Sequence, residues 1–129
     1  MSIAIICVIF AGFLPIIAAG IAKFGPTESS ASDPYDNNQP REWLAKQTGL
    51  RARANAAQAN TFESLPFFYV AIAIAMILQA PQARIDVLAI AYLLARVAYI
   101  ACYVMDWANL RTFVWLIGFA CTVALFFQI

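Results

Sequence analysis

Glu63 and Arg96 are the two charges that fall well inside apolar stretches of this chain. A charged side chain at the centre of a bilayer costs about 2.5–3.5 kcal/mol on insertion scales, so such residues normally turn inward, find a partner and mark a functional site. The two have opposite signs and comparable depth, which pairs them across the second and third spans. Ahead of Glu63, polar groups run from Arg53 through Gln58 and Asn60 into the start of a hydrophobic stretch. Helical spacing places Arg53, Asn60 and Glu63 on one face, because seven residues make nearly two turns and three more stay within reach. In the third span Tyr92, Arg96, Tyr99 and Tyr103, spaced four, three and four apart, also share a face, and Arg111-Thr112 opens the fourth.

Chemistry here has to use Arg, Glu, Asn, Gln and Tyr. Histidine is absent, which removes imidazole catalysis and most metal sites, so no metal is expected. Cys7, Cys102 and Cys121 lie far apart inside spans with no paired spacing and read as buried single thiols. Basic and amide donors below apolar helix walls form a pocket suited to two molecules at once: a polar anion from the cytosol and a lipophilic partner from the bilayer. Plainer readings exist for each residue. Glu63 and Arg96 can be an ion pair that fixes helix register, and Gln58 and Asn60 can be interhelical hydrogen-bond glue. Tyr99 and Tyr103 can be interfacial aromatics, and Arg111 an ordinary basic residue at a helix entry.

The elements that must position these groups follow from composition. Of 129 residues, 64% are hydrophobic and 12% charged, a balance that a soluble domain of this size cannot hide in one core. Four apolar stretches, about 3–22, 50–79, 85–104 and 112–127, are each long enough to cross the hydrocarbon layer as a helix. The first lacks a basic residue before its apolar run and reads as a retained span rather than a signal peptide. An all-α, integral-membrane four-helix bundle results, with residues 1–129 as one domain. The second helix, roughly 45 Å long at about 1.5 Å per residue, outruns the bilayer core. Pro15 and Pro66 each remove a helix hydrogen bond, and Pro66 frees the carbonyl of Phe62.

Basic residues cluster in the first loop, about 23–49, and its flanks (Lys23, Arg41, Lys46, Arg51, Arg53), with Arg111 in the third. By the positive-inside rule both loops are cytoplasmic and both termini periplasmic. Residues 25–39 read as a mobile polar loop, followed by a short interfacial helix from Pro40 that Gly49 stops. The net charge of +1, without a basic block outside that loop, excludes a nucleic-acid partner. Partners are expected to be membrane lipids or lipophilic small molecules.

The run from Ala57 to Pro66, with Gln58, Asn60 and Glu63, is similar to the second-helix signature of the MAPEG family, the membrane-associated proteins of eicosanoid and glutathione metabolism. Arg96, Tyr99 and Tyr103 resemble that family's third-helix set, Leu110-Arg111-Thr112 its fourth-helix entry, and Asn38–Trp43 its bacterial branch. The resemblance spans nearly the whole chain. It implies a homotrimeric bundle in a bacterial inner membrane, with glutathione as co-substrate held between subunits near the cytoplasmic face. Gln58, Asn60, Glu63, Tyr99 and Tyr103 would contact glutathione or support its site, and Arg111 would activate its thiol. The implied activity is a glutathione-dependent transferase or peroxidase acting on lipophilic electrophiles or lipid hydroperoxides. Two positions depart from the pattern: Ala56 stands where an arginine is common, with Arg53 one turn earlier able to reach the same ligand, and Ser64 stands where leukotriene C synthase has a tyrosine. Those departures keep a non-catalytic lipid-binding protein, or a helper subunit of a membrane complex, as the alternative.

Overall fold

The computed structural model describes residues 1–27 and 34–128. Five helices account for the described chain: α1 (Ile3–Phe24), α2 (Pro40–Ala45), α3 (Gly49–Ile77), α4 (Gln82–Val104) and α5 (Ala108–Leu125). All but α2 are long and apolar enough to cross a membrane, and no strand occurs among the described residues. The architecture is an all-α bundle of four long helices, as the apolar stretches require. Part of the expected mobile loop, 28–33, lies outside the described residues.

Local chemistry sets the helix ends. Ser2 caps α1, its hydroxyl accepting from the Ile5 amide at 3.4 Å. At the other end Gly25 donates to the Ile21 carbonyl, and a Cβ on Gly25 would collide with that oxygen. Gly49, expected to end the short helix, instead begins α3 with a positive φ of 62°. Both α3 and α4 close through a left-handed residue, Gln79 (φ 56°) and Asp106 (φ 62°). The next amide in each case reaches back to an orphan carbonyl, Ala80 to Ala75 at 3.0 Å and Trp107 to Cys102 at 2.8 Å. Helix α5 starts at Ala108, earlier than the expected 112, because the chain turns so tightly after Asp106. It therefore brings Arg111 inside its first turn.

Helix α1 lies against α3 and α4, and α4 lies against α5. Along α1 the buried residues Ala4, Cys7, Ala11, Leu14, Ala18 and Ala22 repeat every three or four positions, a stripe of mostly small side chains. It faces Leu65, Phe68, Ala71 and Ala75 of α3. Small residues let backbones approach where lipid removes the hydrophobic drive for helix association. Gly12 makes room for the Tyr69 hydroxyl, which donates to the Val8 carbonyl at 3.1 Å; a Cβ on Gly12 would stand 3.0 Å from it. Arg51 ties the start of α3 to the end of α1 through the Gly25 carbonyl at 2.8 Å. Asp86 ties the starts of α1 and α4 by accepting from the Ala4 amide at 2.9 Å. With α1 covering one side of α3, the polar side of α3 is left to face α4 and α5.

Candidate functional site

Arg96 is the anchor of that polar side. It is only 2% exposed, and it is the largest side chain buried to that degree. One guanidinium nitrogen donates to Asn60 Oδ1 at 3.1 Å and to Thr61 Oγ1 at 2.8 Å. Thr61 in turn donates to the Ala57 carbonyl at 2.7 Å, which fixes its oxygen as the acceptor. The face of the guanidinium lies over the Tyr99 ring, 4.2 Å from its centroid.

The stack continues toward the turn between α4 and α5. Tyr99 meets Tyr103 edge-on at 5.7 Å, and Arg111 covers the Tyr103 ring at 4.1 Å. Arg96, Tyr99, Tyr103 and Arg111 therefore follow one another as cation, ring, ring and cation from the bundle interior to the α5 entry. The Arg111 guanidinium makes no hydrogen bond among the described residues, so its donors stay uncommitted while the tyrosine fixes its position.

Beside this stack α3, α4 and α5 enclose a cavity of about 180 Å³. Asn60, Glu63, Ser64, Tyr92 and Arg96 supply its polar wall; Phe67, Trp115 and Phe119 supply the apolar one, with Gly118 and Thr122 between. The Tyr92 ring stacks on Phe68 at 3.8 Å and 9°, and its hydroxyl meets Ser64 Oγ at 2.7 Å. Gly118 keeps the α5 wall open: a Cβ there would reach ordinary contact with Ala95, Arg96 and Tyr92, at 3.5–3.9 Å. Thr122 returns its hydroxyl to the Gly118 carbonyl at 3.1 Å and presents no free donor.

Three expectations need correction or division. Glu63 and Arg96 line the same cavity but do not form an ion pair: Arg96 is held by neutral oxygens and a ring, and Glu63 is exposed. The physical reason is angular. Asn60 and Thr61 lie on the side of α3 that meets α4, whereas Glu63, three residues past Asn60, has turned 60° further from the buried face. Arg53 does not join Asn60 and Glu63 either; it donates to the Val104 carbonyl at 3.3 and 3.2 Å, satisfying an open carbonyl at the end of α4. Gln58 and Asn60, two residues apart, point about 200° from one another around α3, and Gln58 does not line the cavity.

Asn60, Arg96, Tyr99, Tyr103 and Arg111 are brought together, with Glu63 at the cavity wall. Reasoning from sequence missed Thr61, Ser64, Phe67, Trp115, Gly118 and Phe119 as parts of the site, and placed Tyr92 on the right face without a role. Thr61 and Ser64 carried a legible signal, being hydroxyls inside the polar run of α3. The α5 residues carried none, because an apolar wall looks like any lipid-facing span.

No curated protein and no solved structure matches the chain. The model of the MAPEG family matches residues 3–129, a match that takes in every helix and every residue of the cavity and the stack. The chain belongs to the MAPEG family.

Proposed function

We propose that this chain is an integral-membrane, glutathione-dependent transferase or peroxidase acting on lipophilic electrophiles or lipid hydroperoxides. Membership of the MAPEG family, together with four helices able to span a membrane, supports a membrane protein with glutathione-related chemistry. The observation that carries the finer reading is Arg111, held over the Tyr103 ring with its donors uncommitted, at the mouth of a stack that runs to an amphipathic cavity. A homotrimer in a bacterial inner membrane is the proposed assembly. Gln58, turned away from the cavity, would then serve a glutathione held by the neighbouring copy.

Glutathione supplies the thiol, and the residues of this chain hold and ionise it. A free thiol has a pKa of about 8.5; lowering it to about 7 needs roughly 2 kcal/mol of thiolate stabilisation. A charge-assisted hydrogen bond from Arg111 in a poorly hydrated site supplies most of that. Asn60 and Glu63 offer polar contacts for the peptide, and Phe67, Trp115 and Phe119 form the surface on which a lipophilic substrate rests.

The test is the ultraviolet absorbance of bound glutathione against pH in detergent-purified protein and in Arg111→Ala. The parent should form thiolate near neutral pH, and the variant should do so only at higher pH while keeping its fold. Should the parent show no thiolate at saturating glutathione, the reading fails. A non-catalytic lipid-binding protein then becomes the better one, and one observation already favours it: Ala56 leaves an arginine position empty, and Arg53, the nearest replacement, bonds Val104 instead. Orientation has its own test. With both termini periplasmic, a reporter fused after Ile129 should be active only on the periplasmic side, and cytoplasmic activity would reverse the topology.

A further inference from the structure

The two protons of one guanidinium nitrogen fix the direction of the hydrogen bonds around Arg96. Nη2 donates one to Asn60 Oδ1 at 3.1 Å and the other to Thr61 Oγ1 at 2.8 Å. Thr61 gives its own proton to the Ala57 carbonyl at 2.7 Å, so its oxygen can only accept from Arg96. A guanidinium carries donors alone and does not lose its charge in proteins, so the atom of Asn60 that meets it has to be the amide oxygen, at any pH. The NH2 group of Asn60 is thereby left for the cavity that Asn60 lines, and it makes no hydrogen bond among the described residues. Arg96 cannot swing off, because it is 2% exposed and its guanidinium lies on the Tyr99 ring at 4.2 Å. An asparagine without such a neighbour has no fixed polarity, since its two amide ends are nearly equal in shape and exchange by a half-turn.

We propose that Arg96 is a positioning residue: it locks the Asn60 amide with its N–H groups toward the cavity and makes this point of the site a reader of hydrogen-bond acceptors. The inference rests on the glutathione reading above and adds to it which groups of the ligand Asn60 takes. A carboxylate or peptide carbonyl oxygen fits the two N–H donors. An ammonium or a peptide N–H in the same place would set donor against donor and leave both unpaired, which is penalised heavily once water is excluded. Arg96 touches no part of the ligand in this role, unlike Arg111, whose uncommitted donors act on the thiol. The role also accounts for a charge in the bundle interior, where charge is costly. A neutral Gln or Asn at position 96 could donate or accept and would let the Asn60 amide turn over; a guanidinium cannot.

Affinity for glutathione and the thiol pKa of the bound state separate the two arginines. Detergent-purified protein is titrated with glutathione, affinity being read by calorimetry and the thiol by its ultraviolet absorbance against pH. Arg96→Leu frees the amide and should weaken binding by about tenfold, while the thiol pKa at saturation, set by Arg111, stays where it is. Lysine also carries donors alone, and one nitrogen can make both bonds, so Arg96→Lys should recover most of the affinity. In an Asn60→Ala background, which has no amide to orient, Arg96→Leu should add less than about threefold. Asn60→Asp keeps the acceptor for Arg96 and removes the N–H groups; it should fold as the parent does and bind glutathione at least about tenfold more weakly. Parent-like binding by Asn60→Asp means that the amide oxygen faces the ligand, and it overturns the proposal even where the Leu variant fails to fold. An Arg96→Leu variant that binds as the parent does, or a Lys variant no better than Leu, overturns it as well. So does a full Arg96→Leu loss in the Asn60→Ala background, which would put Arg96 on the ligand itself. In each of these the parent still binds glutathione, so the reading of the site stands without this one. A parent that binds none removes both.

Discussion

Helix α3 has two working faces, and they hold their neighbours by opposite means. Toward α1 it presents Leu65, Phe68, Ala71 and Ala75 against a stripe of alanines and Cys7, all apolar and nearly all fully buried. Toward α4 and α5 it presents Asn60, Thr61, Ser64 and Phe67 around a cavity. In lipid, apolar surface gains little by meeting apolar surface, so the first seam holds by close approach and the second by hydrogen bonds. The close-packed seam leaves no room for a ligand; the hydrogen-bonded one cannot close, because a guanidinium, two hydroxyls and a glycine gap keep its walls apart. One rigid face therefore fixes the helix whose other face carries the site.

The largest way to break that comparison is to remove Arg96. Replacement by Leu leaves Asn60 Oδ1 without a donor and takes one from Thr61 Oγ1, in the interior of the bundle. The expected cost is about 2–3 kcal/mol, read as the midpoint of unfolding by SDS in mixed micelles. Glu63→Gln should move that midpoint by less than about 0.5 kcal/mol, as an exposed substitution away from any contact. Because the two side chains are not paired, their effects should add. A coupling above about 1 kcal/mol in the double-mutant cycle would restore the ion pair and undo the division of α3 argued above.

The failure of that pairing shows where sequence reading stops. Four apolar stretches, a polar run beginning near Arg53 and a tyrosine–arginine face on α4 were all legible, since composition and the 3.6-residue period encode them directly. Matching charges by sign was the wrong inference: a buried guanidinium can be held by an amide, a hydroxyl and a ring, and Asn60, Thr61 and Tyr99 hold this one while its Nε finds no partner among the described residues. Arg53 looked like part of the ligand set because it shares a stripe with Asn60, yet it reaches the end of α4, a position that only the tertiary fold creates. Trp115, Gly118 and Phe119 were invisible for a different reason. Their role is to leave a space, and no residue pattern within one apolar span marks a space.

A middle-sized effect tests the close-packed seam. Ala71 is fully buried against α1, so Ala71→Leu should force the helices apart and cost about 1–3 kcal/mol in the same unfolding assay. Glutathione binding by the folded fraction should be unchanged, since Ala71 does not line the cavity and the Tyr92 ring meets that side through Phe68 instead. If binding falls together with stability, the two faces of α3 are coupled, and the seam is part of the site.

The smallest effect sharpens the comparison most. Tyr69 sends the one side-chain hydrogen bond seen between α1 and α3 in the middle of the bundle among the described residues, from its hydroxyl to the Val8 carbonyl at 3.1 Å, through the gap that Gly12 leaves. That carbonyl keeps its helical partner within α1, so the bond adds to a satisfied acceptor rather than rescuing an orphan. Hydrogen bonds of this kind between membrane helices average about 0.6 kcal/mol. Tyr69→Phe should therefore shift the unfolding midpoint by no more than that, because the ring and its packing remain. A loss near 2 kcal/mol would mean that the alanine seam also depends on hydrogen bonding, and the contrast between the two faces of α3 would be one of degree rather than of kind.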